Sequence, residues 1–276
     1  TQGKFDFHNG ETWEVEYLEN CQHNRSFSAL GLYFIHKLQV LYLYEKYTAA
    51  LQSSQAAEPF LEALLSTFAI AEHQFFTALT LTALYPTATL QQRKQYWQQI
   101  ETIQAQLQVW EQNCPENFQH QVLLIAAEMA VITGDKFEGI ELYDRAILLA
   151  NKREFIQHAA IANERAAKFW LDRHKDKIAK LYLEEAYHSY QQWGAARKVE
   201  ALEKNYPSLL TLDTIAFPNS LMSPGEIDPK LTLTVCSLQT HIGALDLATV
   251  TRAAQMLSGE IVLSQLLDKL MQTIIA

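Results

Sequence analysis

Gly134-Asp135-Lys136-Phe137-Glu138-Gly139 has the G-x-x-x-x-G outline of a phosphate-binding loop. The Lys-Ser/Thr pair that would hold phosphate and metal is missing, because Ile140-Glu141 follows. The stretch also comes after a helical pattern, where a phosphate loop needs a strand. It reads as a turn between two helices. No G-x-G-x-x-G, H-R-D, D-F-G or G-x-S-x-G occurs, so phosphoryl transfer and serine hydrolysis have no motif here. Nine histidines are scattered through the chain, and none forms H-E-x-x-H. His120 with Glu128, or His158 with Glu164, would make a metal site only if the fold brought them together. Glu164, Glu184 and Glu185 are carboxylates without a visible cleft and read as helix-surface charges. Tyr187, Tyr190 and Trp193 stand at i, i+3 and i+6. They either line an aromatic groove for a peptide or pack against the helix over residues 195–206. The expected set is therefore no catalytic residue, no metal and no cofactor.

The elements that carry these residues are helical. Only 9 Gly and 7 Pro in 276 residues leave too few turns for an all-β fold. With 49% hydrophobic residues recurring at helical intervals, the chain is expected to be all-α with a substantial core. Its net charge of −9 and pI of about 5.5 do not suit a nucleic-acid binder, which needs a basic stripe. The basic cluster Arg173, His174, Lys175, Lys177 and Lys180 is diluted by Asp172 and Asp176. Cys21, Cys114 and Cys236 are far apart and odd in number, as in a reducing cytoplasm. No signal peptide and no run of about 18 apolar residues is present, so no membrane span is expected.

Residues 119–207 read as consecutive helical hairpins. Turns are expected at Gly134-Asp135, near His174-Lys175 and after Trp193-Gly194. Small residues mark the second helix of each hairpin: Gly139 with Ala146, and Ala179 with Ala186. Each pair is seven apart (146 − 139 and 186 − 179), and the hairpins repeat at 40 (179 − 139). Tetratricopeptide repeats have a period of about 34 and HEAT/armadillo repeats roughly 40–47. Ala50 and Ala57 share the spacing of seven, so residues 26–57 are read as one more repeat. Two turns apart on a helix face, such residues let a neighbouring helix approach closely. The fold expected is a superhelix of stacked antiparallel hairpins, tetratricopeptide-like, followed by an extended linker and a C-terminal linker helix.

The organisation expected is a lead-in over 1–25, a helical-repeat domain over 26–207, an extended linker over 208–243 and linker helices over 244–276. One helix should run from Pro59 to Tyr85, ending before Pro86. Thr89 should cap a helix over 90–112. Leu231-Thr232-Leu233-Thr234-Val235 alternates and reads as a short strand or as extended linker. Leu247, Val250, Ala254, Leu257 and Ile261 follow a 3-4-3-4 spacing. Leu263, Leu267, Leu270 and Ile274 resume it after a slip at Gly259. That seam suits self-association as a homodimer, or packing on the repeats or on a further domain. The chain begins without Met and ends on Ile274-Ile275-Ala276, as expected of a piece of something larger.

Several stretches together resemble a known family. They are Ala126-Ala127-Glu128, Leu142 to Ile147, Ala160 to Phe169, Trp193-Gly194-Ala195, Lys198-Val199, Leu202-Glu203 and Tyr206-Pro207. This pattern resembles the helical-repeat region of large multidomain bacterial signalling kinases. In that family one polypeptide joins a serine/threonine kinase, a predicted ATPase module, tetratricopeptide-like repeats, a GAF sensor domain and a histidine kinase. Asp246-Leu247, Ser258 to Leu263 and Leu266-Leu267 resemble the helix leading from the repeats into the GAF domain. The resemblance implies a non-catalytic regulatory segment in a cytoplasmic two-component system, with ATP binding and catalysis in other parts of the parent. Partners would be those other domains, or a protein or peptide if the chain were a free-standing adaptor. Two positions depart from the family: Gly139 replaces the usual Ala, and His174 replaces the usual turn Gly. A different turn shape is expected at His174.

Overall fold

The fold is that of a computed structural model, which describes residues 11–210. These belong to the first of two units into which the chain divides, Thr1–Leu212. Ten α-helices are present among the described residues, and no strand. They are α1 (Glu11–His23), α2 (Phe27–Leu43), α3 (Tyr47–Ala57), α4 (Phe68–Leu84), α5 (Leu90–Asn113), α6 (Pro115–Thr133), α7 (Lys136–Lys152), α8 (Ile156–Leu171), α9 (Asp176–Trp193) and α10 (Ala196–Asn205). The fold is all-α. The alternating segment 231–235, the linker helices over 244–276 and the whole apolar seam from Leu247 to Ile274 lie outside the described residues.

Most turns share one construction. Arg25 and Glu45, then Gly134, Glu154, His174 and Gly194, take the left-handed region after a helix, at intervals of 20 (45 − 25, 154 − 134, 174 − 154, 194 − 174). At all of these but Gly134, the next residue's N–H reaches back five residues: Ser26 to Cys21, Lys46 to Leu41, Phe155 to Ala150, Lys175 to Trp170 and Ala195 to Tyr190. This is the Schellman pattern, which satisfies carbonyls left open at a helix end. Two such turns make one hairpin, which accounts for the repeat of 40. His174 does not adopt another turn shape. It takes φ 56° like its equivalents, because its N–H bonds Leu171 and the next N–H bonds Trp170. Gly134 takes φ 92°, and Asp135 then caps α7 by accepting from the Glu138 N–H at 3.1 Å. The Gly134–Gly139 stretch is this turn.

Helices adjacent in sequence pack on one another: α2 on α3, α6 on α7, and α8 on α9. Gly139 lies against Val131, and Tyr143 bonds Glu128. Numbers rise along α7 as they fall along α6, so the pair is antiparallel. His120 meets His158, and Glu128 meets Arg165. Numbers rise together there, so α6 and α8 run the same way. The small residues Ala50, Ala57, Gly139, Ala146, Ala179 and Ala186 are all buried.

The helix expected from Pro59 to Tyr85 is broken. Glu58–Leu64 forms a 3-10 helix, and α4 starts only at Phe68. Between them Ser66 takes φ 71°. The break seats Leu64 against Gly31 of α2. A Cβ at Gly31 would stand 2.8 Å from Leu64 Cδ1. Thr89 caps α5 through a capping box with Gln92. Helix α4 is apolar on nearly every side because it packs against α2, α3, α5 and α6. Its Phe75, Phe76 and Leu79 join Ile100 and Leu107 of α5 in the main core.

Candidate functional site

Of the three carboxylates that the sequence pattern placed on helix surfaces, Glu185 is exposed and Glu184 half-buried, but Glu164 is drawn inside. Glu164 of α8 is only 5% exposed, and Lys198 of α10 likewise 5%. Lys198 Nζ donates to Glu164 Oε1 at 2.8 Å and to the carbonyl oxygen of Leu43 at 2.6 Å. Lys168 Nζ donates to the same Glu164 oxygen at 2.8 Å and to Glu45 Oε1 at 2.7 Å. Tyr190 OH donates to Glu164 Oε2 at 2.7 Å. Helices α8, α9 and α10 and the turn between α2 and α3 thus meet at one carboxylate.

A second carboxylate repeats the arrangement one hairpin earlier. Glu128 of α6 accepts from Arg165 Nε at 2.8 Å and Nη2 at 2.7 Å, both on α8. Tyr143 OH of α7 donates to it at 2.7 Å. In each case a glutamate on the first helix of a hairpin takes a tyrosine from the second helix. It also takes a cation from the first helix of the next hairpin. Paired charges of this kind are kept inside only when every lone pair is used.

The electrostatics follow from the pairing. Burial pushes the Glu164 carboxyl up, but Lys168 and Lys198 outweigh it and hold the group at about 2. Burial likewise opposes ionisation of Glu128, and Arg165 overrides it, so its value is lowered. Burial lowers Lys198, with Glu164 opposing. Burial carries the hydroxyls of Tyr143 and Tyr190 well above the ordinary tyrosine range, and the neighbouring carboxylates add to it. Glu45, Glu164 and Glu128 are balanced by Lys168, Lys198 and Arg165. The space among Tyr42, Tyr47, Glu164, Arg165 and Lys168 is about 10 Å³, room for about one water. The cluster therefore has neither spare charge nor space for a substrate.

A third polar thread runs through α2, α4, α6 and α8. Glu72 of α4 accepts from Gln39 at 2.9 Å and Gln121 at 3.0 Å, and lies 3.2 Å from His158 Nε2. His158 Nδ1 is 2.7 Å from His120 Nε2. His120 is lowered to about 2 by burial, His158 and Arg153. The fold therefore joins His120 to His158 and not to Glu128, and His158 to Glu72 and not to Glu164. No group of three or more His, Cys, Asp or Glu able to hold a metal occurs among the described residues. Cys21 and Cys114 are free thiols.

The aromatic trio does not form a groove. Tyr190 is 0% exposed and bonds Glu164. Tyr187 is buried with its OH on Glu203 of α10 at 2.8 Å. Trp193, 42% exposed, stacks on Tyr190 at 6.1 Å between centroids. Tyr190 ties α9 to α8 and Tyr187 ties α9 to α10.

Over 109 residues, 40% of this chain, the sequence is 34% identical to the hybrid signal transduction histidine kinase G of Dictyostelium discoideum. This chain is similar to a region of a signalling kinase. The matched stretch amounts to 3% of that protein's length. No family model matches the chain, and no solved structure matches it. Among the described residues, no helix is long and apolar enough to cross a membrane.

Sequence reasoning missed Glu128, Glu164 and Lys198 as a set. One signal was available. Glu128 follows Ile125, Ala126 and Ala127, and Glu164 lies between Ala160 and Ala167. A carboxylate in the middle of a small, apolar helix face must be paired or expelled.

Proposed function

We propose that the chain is a regulatory helical-repeat segment of a multidomain signalling kinase, built as a tetratricopeptide-like superhelix. It carries no catalysis of its own. It passes conformational change between an ATPase module and a sensor-kinase part of the same polypeptide. The observation that supports this most is the bond from Lys198 to the Leu43 carbonyl together with Glu164. Through it the last described helix holds the turn of an early hairpin, so a shift of α10 cannot leave that turn untouched. The carboxylate–cation steps from α10 to α8 and from α8 to α6 give the same shift a second route. Packed hairpins moving as rigid bodies by small shear are a known form of such transmission.

The test is made in the full parent polypeptide with Lys198→Met, which keeps length and removes the ammonium. The ratio of stimulated to basal kinase output should fall toward one while basal output stays. An unchanged ratio in a folded variant would remove the relay reading.

A further inference from the structure

A cleft of about 660 Å³ opens between α3, α4 and α5, away from the buried charge cluster. Helices α3 and α5 both pack on α4, which supplies the floor. There His73 is buried and its pKa is lowered by burial, so the ring is neutral. Its Nε2 is 3.1 Å from both the carbonyl oxygen and the Oγ of Ser54. Ser54 Oγ in turn is 2.7 Å from Thr77 Oγ1, which donates to the His73 carbonyl at 2.6 Å. These groups satisfy one another and form a fixed polar floor. No third group sets this pair up as a nucleophile and base.

Gln74 differs from its neighbours on the floor. Its Oε1 is buried and has no hydrogen-bond partner, although it lines the open cleft. A buried acceptor left unpaired is costly, and a turn of the Gln74 amide toward the cleft would bring its oxygen within reach of a ligand N–H. Gln55, Gln95, Gln98 and Gln99 stand along the walls, each offering an acceptor and two donors. Leu51, Leu61, Tyr96 and Ile103 supply apolar lining. Glu58 is the one formally charged residue of the lining, and no Lys or Arg is present there. Anionic ligands have no counter-charge in such a cleft. A purely apolar one would leave the Gln74 oxygen unmet.

We propose that this cleft binds an extended polypeptide segment, read through its backbone and carrying a basic side chain or an amino terminus toward Glu58. Alternating N–H and C=O groups match the glutamine amides, and alternate side chains match the apolar lining. The wall from Gln95 to Thr102 spans about 10 Å at 1.5 Å per helical residue, the length of about three extended residues. The inference does not depend on the relay reading, because the cleft shares no residue with the charge cluster.

The test uses the full chain labelled with ¹⁵N and a pool of acetylated pentapeptides with lysine first and leucine, threonine and alanine varied after it. The side-chain amide signals of Gln74, Gln95 and Gln99 should shift on titration. The same pool with N-methylated backbones should produce no shift, and neither should maltotriose. Glu58→Gln should weaken binding of the pool at least fivefold. Gln99→Ala, an exposed change that leaves the core intact, should weaken it at least threefold. Three results would overturn the proposal: no shift at millimolar peptide, an equal response to the N-methylated pool, or a response to the trisaccharide in place of peptide.

Discussion

The ammonium of Lys198 lies 2.6 Å from the carbonyl oxygen of Leu43, a residue 155 positions earlier in the chain. Lys198 is buried, so its removal leaves that carbonyl unmet and Glu164 with one cation in place of two. Breaking one side of a buried, hydrogen-bonded pair costs about 3–5 kcal/mol. Lys198→Met should lower stability by that order in urea denaturation. Glu45→Gln touches the same cluster from its rim, where Glu45 is 46% exposed. Its cost should be under about 1 kcal/mol. Equal losses from the two variants would mean that burial does not set the strength of these contacts.

Acid should unfold the protein in two stages. His120 is lowered from 6.5 to about 2 and His73 is lowered as well. Their folded values lie below the unfolded ones. The stability they contribute is full above about pH 6.5 and declines as pH falls toward the folded values. Glu164 is lowered from 4.5 to about 2, so its contribution is full above 4.5 and is lost from there toward 2. That contribution is on the order of 3 kcal/mol. Denaturation midpoints measured across pH should therefore start to drop near 6.5 and drop faster below 4.5. His120→Gln should reduce the slope between 6.5 and 4.5 and leave the steeper part in place.

His174 occupies a left-handed position with φ 56°, where a Cβ costs roughly 1–2 kcal/mol. The added freedom of glycine in the unfolded chain offsets part of that gain. His174→Gly should raise stability by about 0.5–1 kcal/mol, measured by thermal or urea denaturation. A loss would mean that the exposed imidazole makes a contact worth more than the strain.

Ala146 and Ala186 are buried at helix contacts, 1% and 0% exposed. Leucine at either site forces the neighbouring helix away and should cost about 1–3 kcal/mol. Neutral substitution at both, by the same measurement, would contradict the close approach of helices that their spacing implies.

Much of the fold was legible because it is local. The helix expected over 90–112 matches α5 to within a residue. Thr89 announced its cap, and the seven-residue spacing of small residues picked out α3, α7 and α9. The break at Ser66 was not legible. It depends on Leu64 reaching Gly31, a contact across the chain that no local pattern records. The charge cluster was hidden for the same reason. Glu164 and Lys168 look like an ordinary surface pair at i, i+4 until α10 and the Leu43 turn close over them. The aromatic trio misled in the other direction. Its spacing suits an open groove as well as a buried contact, and only the hydroxyl of Tyr190 on Glu164 decides which.

Transmission through Lys198 is tested most directly by hydrogen exchange on the intact chain, comparing wild type with Lys198→Met. The amides of Tyr44, Glu45, Lys46 and Ala50, which bond back into the α2–α3 turn, should exchange at least tenfold faster in the variant. Those along α4, which does not touch Lys198, should be unchanged. An effect confined to α10, with the distant turn as protected as before, would contradict the coupling on which the regulatory reading rests.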